Sequence, residues 1–523
     1  MRRALALLLL LASASAGAEQ VLRKGNAIEP ETLDPHKSEG VNSSNVLRDL
    51  YEGLTAEAAD GSIIPGAAES WTLSADGREY VFTLRADGRW SNGDAVTADD
   101  FVFGLRRSAD PKTGSNYSEI LAPIENAEAV VAGKLPPESL GVVALDARTL
   151  RIRLRGPTPY FLGLLTHACL YPIHQPSLKQ YGERFARAGT LVGNGAYKLD
   201  EWVVNSHITL SKNPYYWDAG KVAIDRVIYY PTENQASELK RFRAGELDLT
   251  DDIPSSEVRW LRANLKDQMQ IAPYLGAYYY GFNLTQPPFR NNPKLRKAIV
   301  LAIDRDTLAK KIMGAGEIPA YGWVPPGTAD YTAVQPAWAS WSQAQRVAEA
   351  KKLYAEAGYS EAHPLEIEIR YNTQEDHKKM AIAIAFMLKQ ALGVQARLVN
   401  EEWKVFLQSR SFKHDTQLFR AAWISDYDDP YSFFELLLSS NGMNDMGYDN
   451  PAYDALVKQA AVEPDLAKRT ALLQDAERMV LNDLPVLPIY FYVSKHMVKP
   501  YVKGWAPNMM DHHETRWYRL DPH

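Results

Sequence analysis

The sequence holds a single cysteine, Cys169, in 523 residues. No intramolecular disulfide can form, and no paired-cysteine zinc motif exists. Cys169 lies in the apolar stretch from Leu162 to Tyr171 and reads as a small core residue. A surplus of positive charge is also missing: the formal net charge is −6, which argues against nucleic acid as a general partner. After the N-terminus no run is long and apolar enough to cross a bilayer, so the chain is not expected to be membrane-embedded. Internal repeats and low-complexity linkers are absent, which suits domains joined by crossing strands and a hinge. Catalytic signatures fail as well. Lys112-Thr-Gly114 and Ser237-Glu-Leu-Lys240 stand in the reverse of the order used by penicillin-binding enzymes, and Ser-Asp-Asn is missing. No Walker loop, Gly-x-Ser-x-Gly elbow or His-Glu-x-x-His occurs.

What is present begins with an address. Arg2 and Arg3 precede an apolar run from Ala4 to Ala12, and Ala16-Gly-Ala18 gives a small-x-small cleavage pattern. Residues 1–18 are therefore read as a secretory signal, and no cysteine follows it to carry a lipid anchor. The full sequence is 46% hydrophobic and 23% charged, an ordinary balance for a folded protein. Tyrosine is in excess, with 28 Tyr beside 12 Trp, and such amphipathic rings suit surfaces that accept varied ligands.

The patterning is mixed α/β. Tyr80 to Leu84 sits between two Asp-Gly turns as a hairpin strand. Leu150, Ile152 and Leu154 alternate with arginines, and Leu365, Ile367, Ile369 and Tyr371 alternate with Glu366, Glu368 and Arg370. Helical spacing covers Ser43 to Tyr51, Asn234 to Ala244 and Lys294 to Met313. Thr373 and Asp376 resemble a capping box that opens a helix running to about Leu392, with Gly393 as its stop.

The stretch Arg420 to Pro430, RAAWISDYDDP, is the most suggestive. A buried strand from Gln417 to Ile424 would deliver Asp426 into whatever cleft it borders, where an unpaired carboxylate is costly. Two readings stand: Asp426, Asp428 and Asp429 start a loop and cap a helix near Pro430, or Asp426 is a fixed anion awaiting a cation. The three aspartates do not complete a calcium loop, because Pro430 interrupts it and no Glu closes it. Asp511, His512, His513 and Glu514 could ligate a metal, although neighbouring residues seldom reach one ion, and no metal or cofactor is expected.

Six segments in order carry a resemblance: Leu33-Asp-Pro-His36, Arg48-Asp-Leu-Tyr-Glu-Gly-Leu54, Trp90 to Phe101, Asn194-Gly-Ala-Tyr-Lys198, Asn213-Pro-Tyr-Tyr-Trp-Asp218 and Asn400-Glu-Glu-Trp-Lys404. Together they resemble the periplasmic oligopeptide-binding proteins of ABC importers, in the extracellular solute-binding family. The resemblance runs from about Val21 to the C-terminus. It implies a two-lobed periplasmic-binding-protein fold of type II with an inserted domain. Lobe I would comprise 19–51, 175–277 and 493–523, the insertion 52–174, and lobe II 278–492. It further implies a monomeric, non-catalytic receptor in the periplasm that closes over a short peptide and delivers it to a membrane ABC permease. Relatives take dipeptides, murein tripeptide, nickel chelates or haem, which remain alternatives, as does an exported peptide or cell-wall hydrolase.

By the same resemblance Asp426 pairs with a peptide's α-ammonium, and the backbone of Glu39, Gly40 and Val41 bonds the peptide strand. Trp403, Trp423 and Tyr279 wall its pockets, with His167 at another pocket position. Arg420, Arg410 and His377 receive the terminal carboxylate at different lengths. Met313 stands where some relatives place a lysine for that carboxylate.

Overall fold

The computed structural model describes residues 19–414 and 416–522; the expected signal segment lies outside the described residues. Three larger sheets organise the chain. Val21–Gly25, Arg226–Tyr230, His207–Lys212 and Tyr197–Val203 form one sheet in that order, with the first pair parallel. Ala68–Leu73, Glu79–Leu84, Thr149–Arg153 and Val142–Ala144 form an antiparallel sheet. Its hairpin turns at Gly77. The third sheet has six strands, in the order Ile318–Pro319, Val486–Met497, Met269–Phe282, Leu418–Ile424, Glu366–Asn372 and Gln395–Glu401.

Two of those strands are unusually long, 14 residues for Met269–Phe282 and 12 for Val486–Met497. They pair antiparallel from Met269 opposite Met497 to Gly281 opposite Val486, with register shifts between Pro273 and Ala277 and between Tyr278 and Tyr279. A bulge in an otherwise continuous ladder is where such a ribbon bends. Beyond it, Glu366–Asn372, the helix Glu375–Leu392 and Gln395–Glu401 make a parallel βαβ unit. The helix stops where Gly393 takes a left-handed conformation, φ 75°.

Three local expectations are corrected. Glu366–Asn372 was expected to bury one face, yet Glu368 and Arg370 are buried too. They are affordable there because Arg370 pairs with Glu368 at 2.6 Å and Glu401 at 2.8 Å. The helix expected from Lys294 to Met313 is broken after Ala302. Asp304 accepts the Thr307 N–H at 3.1 Å and starts a separate turn. The capping box of Thr373 and Asp376 does not form. Thr373 bonds Asn400 and the Glu401 carbonyl, and Asp376 turns to Ser255 Oγ at 2.7 Å.

Candidate binding site

The strand Leu418–Ile424 runs beside Met269–Phe282, with Arg420 opposite Tyr280 and Ile424 opposite Gly276. A Cβ at Gly276 would lie 2.5 Å from Ile424 Cδ1 and 3.0 Å from the Tyr492 ring, so glycine leaves room there for those two side chains. The strand ends as Ser425 donates its N–H to the Leu275 carbonyl at 2.8 Å. Asp426 then projects into a cavity of about 270 Å³.

Ten of the eleven sequence-predicted residues line this cavity: Glu39, Gly40, Val41, His167, His377, Trp403, Arg410, Arg420, Trp423 and Asp426. The eleventh, Tyr279, does not. Strand alternation turns it away, edge-on to Trp323 at 5.0 Å. Its neighbour Tyr278 is the one near the site, with its hydroxyl 3.4 Å from His377 Nδ1.

Among the described residues no lysine or arginine pairs with Asp426, which faces a hydroxyl and a neutral histidine. Tyr117 donates its hydroxyl to Oδ1 at 3.4 Å, and His167 Nε2 lies at 3.5 Å. His167 Nδ1 accepts the Cys169 N–H at 3.2 Å, which leaves the ring proton on Nε2, facing Asp426. Burial holds His167 down at about 3, so it does not supply a charge. Burial likewise pushes the Asp426 carboxyl up to about 7, against the pull of the Arg48 guanidinium and the Tyr117 hydroxyl. Trp423 stacks on Tyr117 at 6.1 Å and donates to Ser432 Oγ at 3.1 Å, which fixes its ring as a wall.

At the Arg420 end the sign is reversed. Arg420 donates to Tyr492 Oη at 3.0 Å and to Asn372 Oδ1 at 3.4 Å, and its guanidinium lies 5.0 Å from the Tyr278 ring centre. Among the described residues it forms no ion pair, and its Nε is buried without a partner. Burial opposes its charge, but the oxygens of Tyr492, Tyr278 and Tyr490 more than offset that. His377 is held far below its ordinary value by burial, with Arg420 and Lys495 adding to it, so it offers hydrogen bonds and no charge. Arg410 differs from Arg420, because its guanidinium is already paired with buried Asp445.

The loop before the helix Val41–Leu50 is held from behind. Glu31 Oε1 accepts the N–H groups of Glu39 at 2.6 Å and Gly40 at 2.8 Å, and its Oε2 accepts Ser43 Oγ. A Cβ at Gly40 would sit 2.9 Å from Glu31 and 3.5 Å from Trp403 Nε1. The Gly40 carbonyl is taken by Ser43 and Ser44. Among the described residues the Glu39 carbonyl and Val41 N–H form no such bond. Trp403 Nε1 is also buried without a partner.

Asp428 and Asp429 keep the structural reading. Asp428 accepts the Ala329 N–H at 3.0 Å. Asp429 accepts the Tyr431 N–H at 2.8 Å and grips Arg469 with both oxygens, at 2.7 and 2.9 Å. Near the C-terminus His512 and His513 diverge. His512 lies between Glu57 and Arg48, each at 2.6 Å, and Glu514 pairs with Arg516. His513 instead meets His496, with Asp511 between them at 2.9 Å from each ring. Burial works against the His496 charge, but Asp511 raises that ring to about 9.

Sequence reasoning missed Arg48, Tyr117, Tyr274, Tyr490, Tyr492, Asp251, Asp252 and Lys495, all of which line the cavity. The tyrosine excess and the run Tyr490-Phe-Tyr492 were the available signals. Nothing local marks Asp251 or Lys495, which come from distant stretches of chain.

An enclosed cavity between sheets joined by long crossing strands, with an uncommitted acid at one end and an uncommitted guanidinium at the other, defines a two-lobed solute-binding protein of type II. Residues 62–445 match the model for bacterial extracellular solute-binding proteins, family 5 Middle. The chain belongs to this family. It is 41% identical over 491 residues to the periplasmic oligopeptide-binding protein OppA of Escherichia coli K12, covering 93% of this chain and 90% of that protein. Its structure resembles the murein tripeptide binding protein MppA of Escherichia coli, with a TM-score of 0.95 at 37% identity over 97% and 99% of the two chains. Haemophilus influenzae OppA in complex with RPPGFSPFR gives 0.93 at 37% identity, over 96% and 99%. The unliganded open form of MppA, at the same identity and over 97% and 98%, gives only 0.68. The lobes of this chain therefore do not stand in that open arrangement. No helix among the described residues is long and apolar enough to cross a membrane.

Proposed function

We propose that this chain is an exported receptor that binds short peptides in extended form between two closing lobes and hands them to a membrane permease. The observation that carries the reading is the pair of buried, unmated charges in one cavity, Asp426 and Arg420, whose opposite signs suit the two ends of a zwitterionic peptide. Six positions separate them, the last two beyond the strand's end at Ile424, so their backbones stand at most roughly 20 Å apart at about 3.3 Å per residue. With both side chains reaching inward, that gap suits an extended peptide of about three to five residues. The Glu39 carbonyl and Val41 N–H would bond its backbone as a strand does, which gives affinity without regard to sequence.

The relatives support a binding role over a catalytic one, and the oligopeptide-binding protein of Escherichia coli among them is periplasmic. The proposed lobes are 19–51 with 175–277 and 493–523, then 278–492, with 52–174 inserted. In support, each four-stranded sheet falls within one of these units, and the two long strands run through both junctions. Tyr117 and His167, which face Asp426, belong to the insertion. A murein tripeptide is the alternative ligand, favoured by the likeness to MppA. Its free amino end would meet Asp426 equally well.

Calorimetry with a tripeptide tests the reading. Binding is expected to weaken at least tenfold when the peptide is N-acetylated or when Asp426→Ala is introduced. Unchanged affinity in both cases would remove the anchor assignment, and mass spectrometry of ligand released from gently purified protein separates murein tripeptide from other peptides.

A further inference from the structure

Neighbouring residues seldom reach one ion, which is why the run from Asp511 to Glu514 argues against a metal when read as sequence. The fold removes that objection by dispersing the run. His512 goes to Glu57 and Arg48, and Glu514 goes to Arg516. Asp511 and His513 turn instead toward His496, which stands 15 positions before Asp511 near the end of the long strand Val486–Met497. One donor atom from each of His496, Asp511 and His513 lies within 4.8 Å of the other two. Asp511 Oδ1 is 2.9 Å from Nε2 of both rings. Two imidazoles and a carboxylate form a donor set that takes zinc or a neighbouring divalent transition metal, at about 2.0–2.2 Å per bond. Tetrahedral bonding at that length sets donors about 3.4 Å apart, so the two rings have at most about 1.4 Å left to close.

The surroundings suit an ion as well as the trio does. His496 Nδ1 lies 3.1 Å from the Thr250 carbonyl, which can only accept, so this nitrogen keeps its proton. A ligating histidine is ordinarily held in this way, and here it leaves Nε2 aimed at Asp511 and His513. Trp505 stacks on His513 at 4.8 Å and meets His496 edge-on at 5.9 Å, an apolar wall that fixes both rings. The side chains of His496, Asp511 and His513 are only 10%, 14% and 12% exposed, so bulk water competes little for them. A chamber of about 150 Å³, lined by all three, lies alongside and has room for water to complete the coordination. Asp251 lines the same chamber and adds an acid. Lys24 lines it too, but its ammonium is given to Tyr229 Oη, the His513 carbonyl and Thr515 Oγ1. An entering ion takes the place of the proton that His496 Nε2 shares with Asp511.

We infer that His496, Asp511 and His513 hold a resident divalent transition-metal ion of the zinc class, which pins the C-terminal segment to the end of the strand Val486–Met497. None of the three lines the cavity that holds Asp426 and Arg420, so the site is separate from the one proposed for peptide and does not depend on that reading.

The test is calorimetry of the untagged mature chain, stripped of metal with a chelator and then freed of it, titrated with zinc chloride at pH 7.5. One equivalent is expected to bind with a dissociation constant of about 1 µM or lower and to raise the thermal unfolding midpoint. Cobalt(II) at the same site should give a visible d–d absorption band that zinc abolishes. His513→Gln keeps a donor to Asp511 but removes the imidazole; it should weaken zinc binding by about thirtyfold or more and erase both the midpoint shift and the cobalt band. His496→Gln should do the same and covers the case in which His513→Gln does not fold. Absence of one-equivalent binding in the parent, or zinc binding that survives both substitutions, would overturn the site and leave a hydrogen-bonded trio that serves the fold alone.

Discussion

Asp426 and Asp429 lie three residues apart, the first nearly buried and the second buried, where the same strand gives way to the same short helix, and they have opposite fates. Asp429 is clamped by Arg469 through both oxygens and caps the next turn. Asp426 faces a tyrosine hydroxyl and a neutral histidine across 3.4 and 3.5 Å. The arginines repeat the contrast: Arg469 and Arg410 are mated to carboxylates, whereas Arg420 has only neutral oxygens. A mated buried pair holds the fold, and removing one partner strands the other. An unmated buried charge weakens the fold, which suits a group that a ligand would complete.

The largest effect expected from this contrast is on stability. Asp429→Ala leaves the Arg469 guanidinium buried without its anion and should cost about 3–5 kcal/mol in chemical unfolding, with the denaturation midpoint falling accordingly. Asp426→Asn should do the opposite, with unfolding stability at pH 7 equal to or above that of the parent. In the same variant peptide affinity should fall by about 1.5–3 kcal/mol, measured by calorimetry. A smaller loss, about 1–2 kcal/mol, is expected for Arg420→Met, because Lys495 and the neutral His377 remain near the carboxylate end. Arg420→Met should also erase the difference between a peptide acid and its amide.

A gentler probe of the same contrast is pH. Burial has raised the Asp426 carboxyl to about 7, well above its unfolded value, so the folded empty protein holds this proton more tightly than the unfolded chain. That contribution to stability is present at low pH and is lost as pH rises from about 4 toward 7. Asp251 and Glu514 also sit near 7, so the diagnostic quantity is the difference between the parent and Asp426→Asn. Peptide binding runs the other way, since an ammonium requires the ionised acid. Below pH 7 affinity should decline by up to about tenfold, or ~1.4 kcal/mol, per pH unit, and Asp426→Asn should flatten the slope.

Much of this contrast was legible in the residues. An uncharged five-residue strand ending in three aspartates announced a buried strand with a carboxylate at its exit, and the structure has it from Leu418 to Ile424. The residues alone could not say which aspartate was spoken for, because Arg469, the partner of Asp429, lies 40 positions away on another helix. For the same reason the pairing of Arg410 with Asp445 was invisible. Tyr279 was assigned to the pocket by the resemblance, although strand alternation sets it opposite Tyr278. The single long helix proposed through Lys294 to Met313 ignored Asp304, whose side chain competes for the backbone and ends it.

The central claim is that Asp426 is reserved for a peptide's amino terminus, and a thermodynamic cycle by calorimetry tests it most directly. A tripeptide and its N-acetylated form are each titrated into the parent protein and into Asp426→Asn at pH 7.5. The account predicts that acetylation weakens binding at least tenfold in the parent and less than threefold in the variant, because the two changes remove the same contact. An acetylation penalty of equal size in both proteins would contradict it and place the amino terminus elsewhere.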